Sequence, residues 1–263
     1  CDIGRDNHPL YKEMVYEQEP DIDILVLESL HGFKEEDVTY RDTYEEEYMI
    51  IKKGLKQNKK IIMDVFAQDR SALKVADVNE MNRNGLKFRC RFDTPLGMKL
   101  LSLYIQSYKT GNSAWFDYDK PYPFDIEHID FARDYPEHMD FVRRDGPFVV
   151  ITSSGMGYGG RVVDYFEHLI QDKDAIFVFP EYLPEDCPSK RLCNAAKGDL
   201  IEMYGNTYVK QCETIQLDGN SGHGYRKEKL KIINRYCNAK VIFLNHGDNE
   251  SIEELYEELP NYT

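Results

Sequence analysis

PFVVITSSGMGYGGRVVDYFEHL, residues 147–169, sets an apolar run, a serine- and glycine-rich turn and a helix-like stretch in direct succession. The run is rich in β-branched residues and too short for a helix, so it reads as a buried strand. Five other runs share that character: IDILVLE (22–28), KIIMDVFA (60–67), LKFRCRF (86–92), AIFVFPEY (175–182) and AKVIFLNH (239–246). Helix-like stretches lie among them at 43–58, 71–84, 95–109, 160–171, 226–237 and 250–259. Strand and helix alternate, the pattern of an α/β fold with a largely parallel sheet. The aromatic, acidic and proline-bearing interval 110–146 is expected to be an irregular insertion or lid. No internal repeat or low-complexity tract is present.

Bulk properties narrow the function. The 263 residues carry 33 Lys and Arg against 47 Asp and Glu, a net charge of −14. That excludes a nonspecific nucleic-acid coat, which needs a broad basic face, but leaves room for an enzyme that grips phosphate locally. Hydrophobic content of 41% and a mean hydropathy of −0.60 suit a water-soluble globular chain. No apolar run approaches the roughly 20 residues that span a bilayer. A chain that opens with Cys1, without a secretory signal, is expected to be an excised piece or a processed product. The six cysteines form no CxxC pair, which points to free thiols in a cytoplasmic setting. Cys187 and Cys193 read as small residues or, less simply, as metal ligands.

Three strands end in polar groups at the position where α/β proteins build sites, the carboxyl edge of the sheet. They deliver Glu28, His246, and the pair Ser153 and Ser154. Asp2 in CDIGR and His223 in SGHG would complete a carboxylate–histidine cluster. Such ligands hold zinc while leaving a position for water. A strand-ending His or Glu is more often a cap or hydrogen-bonding group than a ligand, so spacing alone is a weak signal for a metal site. The SSGMGYGGR turn, with backbone N–H groups and Arg161 at the helix start, suits a phosphate; a plain tight turn explains its glycines as well. It lacks the Gly-Lys-Ser/Thr ending of a Walker A loop. Arg70 in FAQDRSA reads as an ion pair at a helix start, and His8, His128, His138 and His168 receive no role.

Taken in order, these segments resemble the metallo-β-lactamase-fold nucleases with an inserted β-CASP domain, which include the polyadenylation endonuclease and ribonuclease J. CDIGR resembles the family's Gly-Asp-Leu/Ile-Gly-Arg segment, which makes Asp2 the zinc-bridging aspartate. DIDILVLESLHG resembles Asp-x-Leu-x-x-Glu-Ser-Thr-Tyr-Gly and places the β-CASP acid at Glu28. DVFAQDRSA is similar to Pro-x-Phe-Ala-x-Gly-Arg, and FDTPLGMKL to Asp-Ser-Pro-Leu-Ala. ITSSGMGYGGR resembles Ser-Ser-Gly-Met-x-x-Gly-Gly-Arg and is the most specific match. SGHG carries the second β-CASP residue at His223, and LNHGDNES carries a zinc-ligating histidine at His246. PEYLPEDCPSK departs from Gly-Tyr-x-x-Glu-Gly-Thr-Leu, with Cys187 in place of threonine. Asp69 replaces a glycine, and Tyr225 replaces an aspartate.

The resemblance implies an α/β protein: part of a metallo-β-lactamase αββα sandwich at 1–30 and 217–263, with a parallel-sheet β-CASP domain inserted at 31–216. It implies metal-dependent hydrolysis of RNA phosphodiesters by two Zn2+ ions. Asp2 and His246 would be metal residues, Glu28 and His223 catalytic ones, and Ser153, Ser154 and Arg161 substrate contacts. Single-stranded RNA is the implied partner, with DNA and a homodimer left open and no membrane. The family's His-x-His-x-Asp-His motif does not occur in these residues. The chain alone is therefore expected to hold at most one metal and to cleave nothing. The alternative is a noncatalytic scaffold relative in an RNA-processing complex; a small-molecule hydrolase is a third reading, disfavoured by the long insert.

Overall fold

A computed structural model describes residues 3–13, 22–111, 115–236 and 238–261. In chain order the first elements are β1 (Ile24–Glu28), α1 (Tyr40–Lys56), β2 (Lys60–Asp64), α2 (Arg70–Arg83), β3 (Cys90–Asp93) and α3 (Pro95–Lys109). There follow β4 (Ile129–Phe131), α4 (Tyr135–Val142), β5 (Phe148–Thr152), α5 (Val162–Leu169), β6 (Ala175–Phe179) and α6 (Pro188–Asn194). The chain closes with β7 (Leu200–Met203), β8 (Asn206–Val209), β9 (Glu213–Gln216), α7 (Arg226–Arg235), β10 (Val241–Asn245) and α8 (Asn249–Glu258). Two compact units result: Cys1–Thr39 with Ser221–Thr263, and Tyr40–Asn220. No helix among the described residues is long and apolar enough to cross a membrane.

The second unit is a six-stranded parallel sheet in the order β4-β3-β5-β2-β6-β9. Its central strands, IIMD, FVVIT and AIFVF, are buried at every position. This is why they read as unbroken apolar runs, since helices cover both faces of a parallel sheet. Ile62, Val150 and Phe177 lie across three adjacent strands. They pack with Tyr165, Phe166 and Leu192 in one core. β7 and β8 form a separate antiparallel hairpin.

The interval 110–146 corrects the expectation of an irregular insertion. It supplies the edge strand β4, helix α4, and two ring side chains, Phe116 and Phe124, each 1% exposed. Tyr108, Tyr122, Phe116 and Phe124 meet edge to face or tilted at 5.1–6.1 Å, a contact geometry that rings prefer. Three residues of strand are too few to show a period in sequence. β3 is also shorter than the run that announced it. Leu86 donates its backbone N–H to Met81, and Phe88 donates to the Asn82 side chain, so these residues belong to the turn that ends α2.

In the first unit β1 pairs in parallel with β10, Ile24 opposite Val241 through Glu28 opposite Asn245. Leu25 and Leu27 enter a small core with Ile3, Phe33, Ile232, Ile233 and Leu255. The expectation that both runs are wholly buried is corrected here: Ile24, Val26, Val241 and Phe243 are exposed. Alternation along the strand sends them to the face opposite that core.

The second unit buries charge deliberately. The Lys74 ammonium, 1% exposed, donates to Glu47 at 2.6 Å and Asp77 at 2.9 Å. Removing one partner from such a cluster strands the rest. Lys74→Met is therefore expected to destabilise this unit by about 3–5 kcal/mol, read from urea denaturation midpoints. Burial also pushes the Asp64 carboxyl up to about 7 and Glu181 up to about 8, despite backbone N–H groups from Gly155 and Phe66. Both folded values lie above those of the unfolded chain, so folding takes up protons. The stabilisation is complete below about pH 4 and is lost as pH rises toward about 8. Denaturation followed over this range is expected to show falling stability, with a shallower slope in an Asp64→Asn, Glu181→Gln double variant.

Candidate active site

The parallel register decides where the site forms. β1 ends at Glu28 opposite Asn245, so His246 follows one residue beyond the pair. Ser29 locks this end: its N–H and its hydroxyl both donate to the Asn245 carbonyl, at 2.7 and 2.8 Å. His246 takes φ 55°, a left-handed backbone that costs an L-residue roughly 1–2 kcal/mol. A Cβ at Gly247 would lie 3.0 Å from the Ser29 carbonyl, so any side chain there would press on the Ser29 backbone. His223 enters from a third segment. Gly4 and His223 form an antiparallel bridge, with Gly224 donating to the Ile3 carbonyl at 2.7 Å and Arg5 to that of Gly222 at 3.2 Å.

Glu28 is 1% exposed. One carboxylate oxygen, Oε2, accepts the backbone N–H of Ile3. The other, Oε1, accepts from His223 Nδ1 and lies 3.3 Å from His246 Nδ1. The two imidazoles stand nearly perpendicular, 5.0 Å between centroids. Ligand atoms of Glu28, His223 and His246 all lie within 4.8 Å of one another. Two imidazole nitrogens and a carboxylate are a donor set that suits zinc. The arrangement also matches the pattern by which a carboxylate fixes a histidine tautomer. With Nδ1 donating to Glu28, the remaining ring nitrogen of His223 is Nε2, which has no hydrogen-bond partner among the described residues.

A second layer surrounds these groups. His31, at φ 66°, bonds the Ser221 hydroxyl through Nε2 at 2.8 Å and stacks on Tyr225 at 4.5 Å and 4°. The same hydroxyl accepts the His223 backbone N–H. Burial, reinforced by the Lys229 charge, lowers the His31 pKa to about 4 and keeps the ring neutral. Tyr225 precedes α7, whose Glu228 returns a carboxylate oxygen to the Tyr225 N–H at 2.9 Å and offers the other to Asp6 at 3.1 Å.

Of the residues singled out in the sequence, Glu28, His223 and His246 come together. Asp2 lies outside the described residues. Ser153, Ser154 and Arg161 belong to the second unit, where two of them have partners. The Ser153 and Thr94 hydroxyls share a hydrogen bond at 2.7 Å. Arg161 bonds the Asp93 carboxylate at 2.5 Å and faces the Ala132 carbonyl at 3.4 Å. Asp93 also accepts from Tyr165 and from His138, each at 2.6 Å, and His138 bonds Asp164 at 3.0 Å. Burial opposes charge on Asp93, but the hydrogen bonds from His138, Tyr165 and Arg161 outweigh it and hold its carboxyl below the ordinary range. The role of His138 was not legible, because its partners are 26 and 45 residues away in sequence. His31 did carry a signal: it stands where the resembling motif has tyrosine. Cys90, Cys187, Cys193 and Cys212 are free thiols.

Residues 48–192, more than half of the chain, match the Beta-Casp domain family. Residues 207–261 match a family described as a Zn-dependent metallo-hydrolase RNA specificity domain. Ribonuclease TTHA0252 of Thermus thermophilus is 24% identical over 89% of this chain and 53% of its own length. Transcription termination factor FttA of Methanothermobacter thermautotrophicus is 25% identical over 88% of this chain and 37% of its own. FttA of a Lokiarchaeum is 22% identical over 90% of the chain and 38% of its own length. The chain thus spans about half or less of the relatives it resembles. With its parallel sheet and the cluster at Glu28, the chain belongs to the Beta-Casp domain family.

Proposed function

We propose that this chain supplies part of a zinc-dependent site that hydrolyses phosphodiester bonds in single-stranded RNA. The observation that carries the reading is the buried Glu28 carboxylate, which serves His223 and His246 from one oxygen. Support comes from the matched metallo-hydrolase family and from relatives named as a ribonuclease and a termination factor. Asp2 and His246 hold metal in this reading, with two zinc ions in the complete protein. When bound, zinc supplies Lewis-acid stabilisation of the negative charge that builds on a phosphodiester.

The chain's own residues do the rest. Glu28 accepts the Nδ1 proton of His223 and fixes the ring's tautomer. In its imidazolium form His223 presents Nε2–H to the phosphate or gives that proton to the departing oxygen, and returns to the Nδ1–H tautomer. The loss of either member removes the same proton donor, so their effects do not add. Ser153, Ser154 and Arg161 are kept in this reading as phosphate contacts. Arg161 would have to share its guanidinium between Asp93 and the strand.

The test uses the longest natural protein that carries this chain, with a labelled single-stranded RNA. Glu28→Gln and His223→Ala are each expected to slow cleavage about 10²- to 10⁴-fold, and the double variant is expected to be no slower than the worse single. His246→Ala is expected to lower zinc content as well as rate. A parent protein without zinc and without cleavage would sink the hydrolase reading in favour of the scaffold.

A further inference from the structure

Lys229 is fully buried, at 0% exposure, beneath the candidate site. Its ammonium donates to the Leu30 carbonyl at 2.6 Å and to the Gly224 carbonyl at 3.0 Å. Leu30 lies two residues past Glu28, and Gly224 directly follows His223. A single side chain therefore joins the two turns that carry the carboxylate and the ring. Its backbone is fixed in turn, since Lys229 sits in the first turns of α7 and donates to the Tyr225 carbonyl at 3.2 Å.

An ammonium is an expensive way to fill this space. Packing alone would be served better by an apolar side chain, because a buried cation loses its hydration. Burial draws the Lys229 pKa down to about 8, while the charges of Glu28, Glu228 and Glu254 oppose that fall. What an apolar residue cannot do is donate to two carbonyls at once. Both accepting groups belong to turns with unusual backbones or close approaches. His31, next to Leu30, is left-handed, and a Cβ on Gly224 would meet Glu228 at 2.8 Å and Ile3 at 2.9 Å. Beyond the single Gly4–His223 bridge and the Ser29 bonds to Asn245, neither turn has a regular ladder to hold it.

We propose that Lys229 is a positioning residue for the relay, holding the Leu30 and Gly224 turns together so that the Glu28 carboxylate and the His223 ring keep their hydrogen bond. The proposal rests on the reading of Glu28 and His223 as a proton relay. It does not make Lys229 a catalytic residue, because among the described residues its ammonium hydrogen-bonds to backbone carbonyls alone. It assigns a function to a position that matches no motif in the sequence.

The test is nuclear magnetic resonance of the histidine rings in the ¹⁵N-labelled, metal-free chain, comparing wild type with Lys229→Met. Methionine keeps the length of the side chain and removes its donors. In the wild type, His223 is expected to show one fixed tautomer, with a slowly exchanging Nδ1 proton. In a folded Lys229→Met variant that proton is expected to exchange at least about tenfold faster, with ring nitrogen shifts that average two tautomers. The His168 ring, in the other unit, is expected to stay unchanged. A folded variant with the His223 signature intact would overturn the proposal. Should the variant fail to fold, the wild-type ammonium decides. A protected Nζ signal coupled through hydrogen bonds to the carbonyl carbons of Leu30 and Gly224 is expected, and its absence overturns the proposal. Neither zinc nor RNA enters the measurement, so a parent protein that cleaves nothing would count against the hydrolase reading and leave this result readable.

Discussion

The parallel pairing of Ile24–Glu28 with Val241–Asn245 is the constraint on which the candidate site depends. Parallel strands cannot be joined by a short hairpin, and here the crossover between them contains an entire unit. The register sets Glu28 beside Asn245, which leaves His246 at the first position where the chain is free to turn. A slip of one residue would send Glu28 to the opposite face of the sheet. The Ser29 bonds to Asn245 hold the register at the point where an error would matter most. Around it, Ile3, Gly4 and Arg5 bring in the segment that carries His223. Glu28 thus accepts from the backbone on one oxygen and faces histidine on the other. Such fixed partners let a fully buried carboxylate remain useful.

The second unit solves a different problem with the same means. β2 and β3 end in buried acidic residues, a third follows β6 at Glu181, and each has partners. Asp64 takes Gly155 and Ser189, Glu181 takes Phe66, and Asp93 takes His138, Arg161 and Tyr165. The glycine-rich turn after β5 is shaped by these bonds. A Cβ on Gly160 would lie 2.6 Å from the Ser153 carbonyl, and its φ of 77° suits glycine alone. The turn is thus held by the carboxylates and by close packing. Asp69 shows the cost of departing from the family pattern. It occupies φ 59° where the resembling motif has glycine, and it does so next to its ion-pair partner Arg70.

Much of this was legible in the sequence because the signals were local. Six apolar runs marked strands, and in the centre of the second unit they are unbroken because a doubly covered parallel sheet leaves no polar face. Glu28, His223 and His246 were legible because each ends a run or sits between glycines within a specific motif. What escaped was set by partners distant in the chain. The Arg161 guanidinium looked available for phosphate, yet its main partner is 68 residues away. Lys229 is one of several charged residues in the stretch 226–237, and only the fold shows it fully buried. β4, β7, β8 and β9 have three or four residues each, too short for periodicity to register. The exposed face of β1 and β10 was misread because parallel strands are usually covered on both sides.

The insertion of one unit within the other also has a consequence for the order of folding. Residues 40 and 220, the ends of the second unit, are tied close to each other by hydrogen bonds: Thr43 donates to the Asp218 carbonyl, and Asn220 to Glu47 at 3.5 Å. An unfolded segment of that length would impose a loop-closure entropy on the first unit of about 4–5 kcal/mol. Once the second unit has folded, its own core has absorbed that entropy, and the two halves of the first unit emerge side by side. On the ribosome, the strand that completes the β1 pair appears only after the whole of the second unit. The site at Glu28 is therefore completed only after the inserted segment has been made, and a second unit that folds first spares it the closure of a long disordered loop.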